Sequence, residues 1–270
     1  GSTVTLAIAM QPDKGWHGYW SNPGDAGFGM SLAWTAGGAP GGDAFGAPLY
    51  PVPETLVIAG LMNHVYEHAY AVLVPYRVPA TARPGTTLPV TLRAQWLACT
   101  DKICVPERAR LTLDLAGAQP SPRFDDWRAA IPALLDSPAR FAVERGRLRV
   151  AIPLPAAMEL PDPHLFVAQR ELVNYPSVQT FSRDGDLLIA EVAGQDKKAK
   201  AEAHGPRIEA ALLAWTARAS ESHADTGEGS SCEDEAVKDM LRGLATPLAG
   251  GDAPRFDQAL ADIVRCFARS

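Results

Sequence analysis

Two cysteines five residues apart, Cys99 and Cys104, lie between two alternating segments and constrain the fold more than any other feature. Apolar and polar residues alternate over 90–98 and again over 108–115. A period of two predicts strands, and the four residues 100–103 suffice to reverse the chain into a β-hairpin. Facing residues of a hairpin have Cα atoms ~4.5–5.5 Å apart, within the ~4.4–6.8 Å of a disulfide. The sequence therefore predicts that a disulfide can form at an accessible hairpin apex.

This cysteine pair has three possible roles. A structural staple is the first, although a disulfide closing so short a loop stabilises little, because the effect grows with the logarithm of loop length. Exchange with the thiols of another protein is the second, and exposure at a loop tip favours it. A zinc site is the third and needs two further ligands, for which no second cysteine pair has the spacing. Composition and spacing leave the staple and the redox role open.

Three segments of the chain resemble a known family, the N-terminal periplasmic domain of DsbD-type thiol:disulfide interchange proteins. The similarity is greatest to the branch of the suppressor of copper sensitivity protein B. The segments are Trp-Leu-Ala-Cys-Thr-Asp-Lys-Ile-Cys-Val-Pro-Glu (96–107), Gly-Trp-His-Gly-Tyr-Trp-Ser-Asn-Pro-Gly-Asp-Ala-Gly (15–27) and Leu-Met-Asn-His-Val-Tyr-Glu (61–67). In the third, His64 and Val65 replace a usual Tyr-Gly. Their order and spacing agree with the family over about residues 3–193.

The resemblance implies a fold, an activity and a division of labour. It implies mainly β structure, with immunoglobulin-like sandwich domains, and a periplasmic thiol:disulfide oxidoreductase. Electrons would come from the transmembrane redox domain of a DsbD-type protein and pass to periplasmic thioredoxin-like or disulfide isomerase-like proteins. By the family's pattern Cys104 attacks and Cys99 resolves the mixed disulfide. Asp101 and Lys102 lie between them and are expected to tune the thiolate in opposite senses.

Related domains also cover their cysteine pair with a loop that carries an aromatic residue. The matching residues in this sequence are Asn63, His64, Val65, Tyr66 and Glu67. Such a cap would protect a reduced pair from wasteful oxidation. The alternative is that Tyr66 is a strand residue packed into the sandwich.

Histidines near the predicted cap suggest a rival function. His64 and His68, together with Cys99 and Cys104, offer ligands suited to copper(I). Their spacing puts both histidines on one side only in a helix, whereas this segment has the pattern of loop and strand. Packed or solvated histidines are the simpler interpretation, and no metal is expected. A purely structural sandwich with inert thiols is the third possibility.

Composition limits the remaining function classes. The 270 residues carry a net charge of −6, which argues against nucleic acid as a partner. The sequence has no apolar run of ~18 residues that would span a bilayer, and no signal-peptide pattern; Gly1-Ser2 is typical of a cloning scar. No phosphate-binding loop or nucleophile elbow occurs, and we expect no cofactor.

Four regions follow from the pattern of strands, turns and helices. Residues 1–118 form the redox domain, 119–140 a linker with a helix over 124–135, 141–194 a second β-rich domain, and 195–270 a helical tail. Expected strands of the second domain are 147–152, 164–168, 178–182 and 186–192. The tail has amphipathic patterns over 206–220, 231–244 and 254–269. Cys232 and Cys266 lie near helix ends, where a structural disulfide is expected; free thiols or a second redox pair are the alternatives.

Overall fold

The computed structural model describes residues 2–83, 85–118, 121–135 and 137–195, together with short strands at 210–212, 261–262 and 266–267. The chain forms two compact units, one of residues 1–131 with 254–270 and the other of residues 132–253. The described part is mainly β, as the sequence predicts.

Unit 1 contains eleven described strands and one α-helix. In chain order they are β1 (Thr3–Gln11), β2 (Gly18–Gly24), β3 (Ser31–Ala36), β4 (Ala39–Pro40), β5 (Glu54–Ile58), β6 (Leu61–Tyr66), β7 (Tyr70–Arg77), β8 (Pro89–Cys99), β9 (Cys104–Asp114), α1 (Arg123–Ala129), β16 (Ala261–Asp262) and β17 (Cys266–Phe267). Short 3-10 turns occupy Gly42–Ala44 and Leu115–Gly117.

One sheet of unit 1 is built on β1 and β7, which pair antiparallel from Thr3 opposite Arg77 to Met10 opposite Tyr70. The short strands β16 and β17 pair parallel with β1. Both faces of β7 are buried, so its sequence is nearly continuous in apolar residues instead of alternating. Helix α1 covers one face, where Phe124 is fully buried against Ala7, Ala71 and Leu73.

A second sheet has the strand order β4-β3-β8-β9 and faces the first across the core. Aromatic rings connect the two layers: Trp34 of β3 stacks on Phe45 at 4.7 Å, and Phe45 lies 4.6 Å from Tyr76 of β7. Val90, Leu92 and Ala94 of β8 are buried at alternating positions. The two layers form the β-sandwich expected from many short strands separated by Gly and Pro.

The third sheet of unit 1 has the order β2-β6-β5. Its side chains pack against the cysteine end of the β8–β9 hairpin. The β2–β6 register is irregular between Tyr19 and Gly24. Gly24 has φ +87°, and a Cβ atom there would overlap the carbonyl oxygen of Met62. A residue without a side chain is therefore required where β2 leaves the sheet.

Unit 2 contains a four-stranded sheet of order β10-β11-β14-β13 and a two-stranded sheet of β12 with β15. These strands are β10 (Arg140–Glu144), β11 (Arg147–Pro153), β12 (Leu165–Val167), β13 (Thr180–Asp184), β14 (Leu187–Ala193) and β15 (Ala210–Leu212). Alternate residues of β11, including Leu148 and Val150, are buried, whereas β14 buries the consecutive residues Leu188, Ile189 and Ala190. The predicted strands of this region agree with the observed ones to within a few residues.

Two expectations differ from the structure. The predicted helix over 124–135 is shorter, Arg123–Ala129, and packs on unit 1. The helical tail is not confirmed: its described residues 210–212, 261–262 and 266–267 are strands, and the rest of the three predicted helices lies outside the described residues.

Candidate functional site

The two cysteines face each other at the end of the β8–β9 hairpin. Cys99 closes β8, Cys104 opens β9, and their Cα atoms are 4.1 Å apart and joined through a disulfide. The Thr100 side chain organises the turn, since its Oγ1 accepts hydrogen bonds of 3.1 Å from the backbone N–H groups of Lys102 and Ile103. The disulfide that the hairpin pattern makes possible is therefore present.

The two sulfur-bearing residues differ sharply in exposure. Cys99 is 1% exposed, while Cys104 is exposed. Cys99 owes its burial to a second neighbour, because its backbone exchanges hydrogen bonds of 2.9 and 3.1 Å with His17 on the side away from β9. Cys104 begins β9, which is the last strand of the sheet among the described strands. A protein approaching from solvent therefore meets Cys104.

Apolar side chains enclose Cys99. It belongs to a buried cluster with Tyr19, Val65 and Leu97, against which Leu56 also packs. Tyr19 and Val65 are opposite each other on β2 and β6, so the third sheet forms the cover over the cysteine end of the hairpin. Cys99 is thus held inside a small hydrophobic core.

Beside this cluster lies a buried imidazole. His17 is 3% exposed; its Nε2 atom is 3.3 Å from the Tyr19 hydroxyl, and the two rings meet edge to face. Burial lowers the pKa of His17, an effect that the nearby carboxylate of Glu67 partly opposes. Burial raises the pKa of Tyr19. At neutral pH both groups are uncharged, so neither places a charge beside Cys99.

The turn itself is exposed. Asp101 and Lys102 occupy its tip and are exposed. Their role in tuning the thiolate stays a prediction. Ile103 and Val105, on either side of Cys104, are 57% and 38% exposed. Apolar contact area for a partner therefore flanks the accessible sulfur.

The predicted cap has a different conformation from the expected loop. Residues 63–66 lie in strand β6 and are buried, and only Glu67, just after the strand, is exposed. The Tyr66 hydroxyl donates a 2.7 Å hydrogen bond to the carbonyl of Pro51, and its ring stacks on Tyr70 at 4.1 Å. These contacts are those of a core residue. Val65 alone among the five belongs to the cluster around Cys99.

The two histidines proposed as copper(I) ligands differ in burial. His64 is 2% exposed; its Nδ1 atom is 2.9 Å from the carbonyl oxygen of Asn22, its ring meets Trp20 edge to face, and burial lowers its pKa. His68 is exposed. Within the described residues, no three or more His, Cys, Asp or Glu side chains are grouped to hold a metal. The described residues therefore do not assemble a set of copper(I) ligands from these histidines and cysteines.

Sequence reasoning missed His17 and Tyr19 as neighbours of the cysteines. Both lie in the Trp-His-Gly-Tyr-Trp segment, which resembles the family. Nothing in the sequence of this segment indicates that it lies beside the cysteines. Cys232 lies outside the described residues, as does the side chain of Cys266, so their predicted pairing stays a prediction.

The disulfide thus joins one buried and one exposed cysteine at the apex of a sandwich hairpin, where a thiol of another protein can reach it. Residues 1–116 match the family described as "Thiol:disulfide interchange protein DsbD, N-terminal". The resemblance predicted from the three segments is thereby confirmed.

Two solved structures are similar to this chain. The N-terminal periplasmic domain of ScsB from Proteus mirabilis has a TM-score of 0.51 and 16% identity, covering 71% of this chain and 79% of that one; it supports the fold. The reduced DsbD N-terminal domain from Neisseria meningitidis has a TM-score of 0.26 and 19% identity, covering 39% and 70%, and no argument rests on it. No curated protein matches. None of the described helices has the length and hydropathy of a membrane span.

Proposed function

We propose that the chain is a periplasmic thiol:disulfide relay module with an immunoglobulin-like redox domain. It takes two electrons from the transmembrane redox domain of a DsbD-type protein and passes them to oxidised thioredoxin-like or disulfide isomerase-like proteins. The observation that carries this proposal is the unequal burial of the Cys99–Cys104 disulfide. The family match and the neighbour described as a periplasmic domain support the chemistry and the compartment.

The exchange has two steps. In the first, the Cys104 thiolate attacks a partner disulfide; the Cys104–partner S–S bond forms, the partner's own S–S bond breaks, and one partner sulfur leaves as a thiolate. In the second, Cys99 loses its proton and attacks the Cys104 sulfur, which releases the second partner thiolate. The partner gains two electrons and two protons, and the Cys99–Cys104 disulfide is restored.

The unequal burial of the two cysteines supports this order of steps. The exposed Cys104 is the sulfur that a folded partner can reach, whereas Cys99 is enclosed by Tyr19, Val65 and Leu97. Cys99 needs to reach only Cys104, whose Cα is 4.1 Å away. Burial also protects the Cys99 thiol from oxidation, because oxidants in solution cannot reach it.

Single serine variants test this order. In the reduced state, Cys99→Ser should accumulate a mixed disulfide with an oxidised thioredoxin-like protein, and Cys104→Ser should form none, as seen by non-reducing electrophoresis and intact mass. The double variant is the control for non-specific adducts. Adducts on Cys104→Ser alone would reverse the roles, and no adduct on either folded variant would reject the relay.

A further inference from the structure

One face of the β8–β9 hairpin carries both the disulfide and three exposed arginines. Residues paired across a hairpin project to the same side, and the side alternates along the strand. The successive pairs on the side of the disulfide are Cys99–Cys104, Leu97–Pro106, Gln95–Arg108, Arg93–Arg110 and Thr91–Thr112. The 3.2 Å contact between the Thr91 and Thr112 hydroxyls shows that this shared side persists to the far pairs. Arg93, Arg108 and Arg110 are exposed and are here called the arginine face.

The arginine face is close enough to the disulfide to share one partner. At ~3.4 Å per residue, the Cα atom of Arg108 is about 14 Å from that of Cys104, and that of Arg110 about 20 Å. A standard interface covers ~800 Å² on each protein, roughly a disc 30 Å across. A protein whose cysteine meets Cys104 and whose surface extends along β9 would therefore contact these arginines.

The charges on this face are not balanced from within the described part of the chain. Arg93 lies directly opposite Arg110, an arrangement of like charges that destabilises a sheet. None of the three arginines of the face forms an ion pair with another described residue.

The strand next to β8 adds no carboxylate to the face. In the rows of the hairpin pairs it contributes Ser31, Ala33 and Thr35. Glu107 of β9 pairs with Trp96 and projects to the opposite face. The nearest acid of β9 on the arginine face is Asp114, four residues beyond Arg110, and its carboxylate accepts hydrogen bonds from the backbone of Leu88 and Ala116. The arginine face is therefore a cationic patch on a chain of net charge −6, and it is available to bind another molecule.

We propose that the arginine face docks the acidic surface of a thiol protein and thereby aligns its cysteine with Cys104. This inference rests on the proposed relay function. Opposite charge on the two proteins speeds encounter by about 10- to 1000-fold at low salt, and guanidinium groups bind carboxylates in a bidentate fashion. The exposed Ile103 and Val105 would supply the apolar contact near the sulfur, and the arginines would select the partner.

The test compares two peptide thiols that differ only in charge. Each has one cysteine, flanked in one by glutamates and in the other by lysines. Its thiolate attacks the Cys104 sulfur in the full chain, which forms a peptide–Cys104 disulfide and releases Cys99 as a thiolate. Per thiolate, the glutamate peptide should react about tenfold faster at 10 mM ionic strength, and the ratio should fall towards one at 1 M salt. Arg108→Gln/Arg110→Gln should abolish the preference.

The matched control is Arg77→Gln/Arg83→Gln, which removes the same charge. Arg77 ends β7, seven residues from Tyr70 at the cysteine end of that strand. This variant should keep the preference for the glutamate peptide. Uncharged dithiothreitol should reduce the disulfide equally fast in all the variants.

The outcomes separate this inference from the relay itself. If dithiothreitol fails to reduce the disulfide in the folded protein, the relay is rejected. If dithiothreitol reduces it but the two peptides react equally, or the preference survives in Arg108→Gln/Arg110→Gln, the docking face is rejected while the relay stands. Salt-sensitive self-association that this variant loses would assign the face to a second copy of the chain and would also overturn the proposal.

Discussion

Truncating Tyr66 distinguishes a core residue from a cap over the cysteines. The side chain is 4% exposed, stacks on Tyr70 and donates a hydrogen bond to the Pro51 carbonyl. Removing a large buried aromatic costs about 3–5 kcal/mol, so Tyr66→Ala should lower the free energy of unfolding by that amount. Domains of this kind have about 5–15 kcal/mol in total, so the loss would be conspicuous in urea titrations followed by circular dichroism.

Tyr66→Phe is the matched control. It keeps the ring and the Tyr70 stack and removes only the hydroxyl, which should cost about 1 kcal/mol. Reduced Cys99/Cys104 should react with a small oxidant at the wild-type rate in Tyr66→Phe. The reasoning fails if Tyr66→Ala unfolds within about 1 kcal/mol of wild type while its thiols are oxidised faster, since that is the behaviour of a cap. A Tyr66→Ala chain that does not fold agrees with the core assignment.

Two further predictions concern stability. Burial lowers the pKa values of His17 and His64 below 6.5. As the pH falls below 6.5, the unfolded chain therefore takes up protons that the folded chain does not, and the free energy of unfolding should fall. Urea midpoints measured between pH 7.5 and 5 check this, and a flat profile would contradict it. Phe124→Ala should cost about 3–5 kcal/mol because Phe124 is fully buried between α1 and the β1–β7 sheet. Trp127→Ala, at a half-buried position of the same helix, should cost less; a loss below about 1 kcal/mol for Phe124→Ala would show that α1 does not stabilise unit 1.

The hairpin was predictable because its information is local. Alternation over 90–98 and 108–115 gives the strands, and the cysteine spacing gives the facing pair. The same pattern reasoning found β1, β7, β11 and β14. These strands bury one or both faces. Their sequences indicate this by apolar residues that alternate or run continuously.

Strand β6 was not predictable because it buries two polar side chains, Asn63 and His64. Asn63 donates to the carbonyls of Leu56 and Leu61, and the His64 ring is 2.9 Å from the Asn22 carbonyl oxygen. In sequence, Asn-His before Val-Tyr has the composition of a loop. The contact of His64 with Asn22, far away in the sequence, and the bonds of the Asn63 Nδ2 atom satisfy polar atoms that burial removes from water, and the sequence pattern does not show these contacts.

The position of His17 beside Cys99 was equally hidden. The two residues are far apart in the chain and meet as an isolated bridge between strands. Pairing of this kind has no local signature, since it depends on the residue before β2 lying alongside the last residue of β8. The unequal burial of the two cysteines is therefore a property of the fold and not of the motif.

The edge position of β9 also bears on solubility. A strand of eleven residues at the end of a sheet presents a row of backbone groups on which a second chain can build an intermolecular sheet. In β9, Pro106 lacks an N–H donor, and Glu107, Arg108 and Arg110 place charge along the strand. The redox hairpin can thus project into solvent without recruiting the edge strand of another copy into an aggregate.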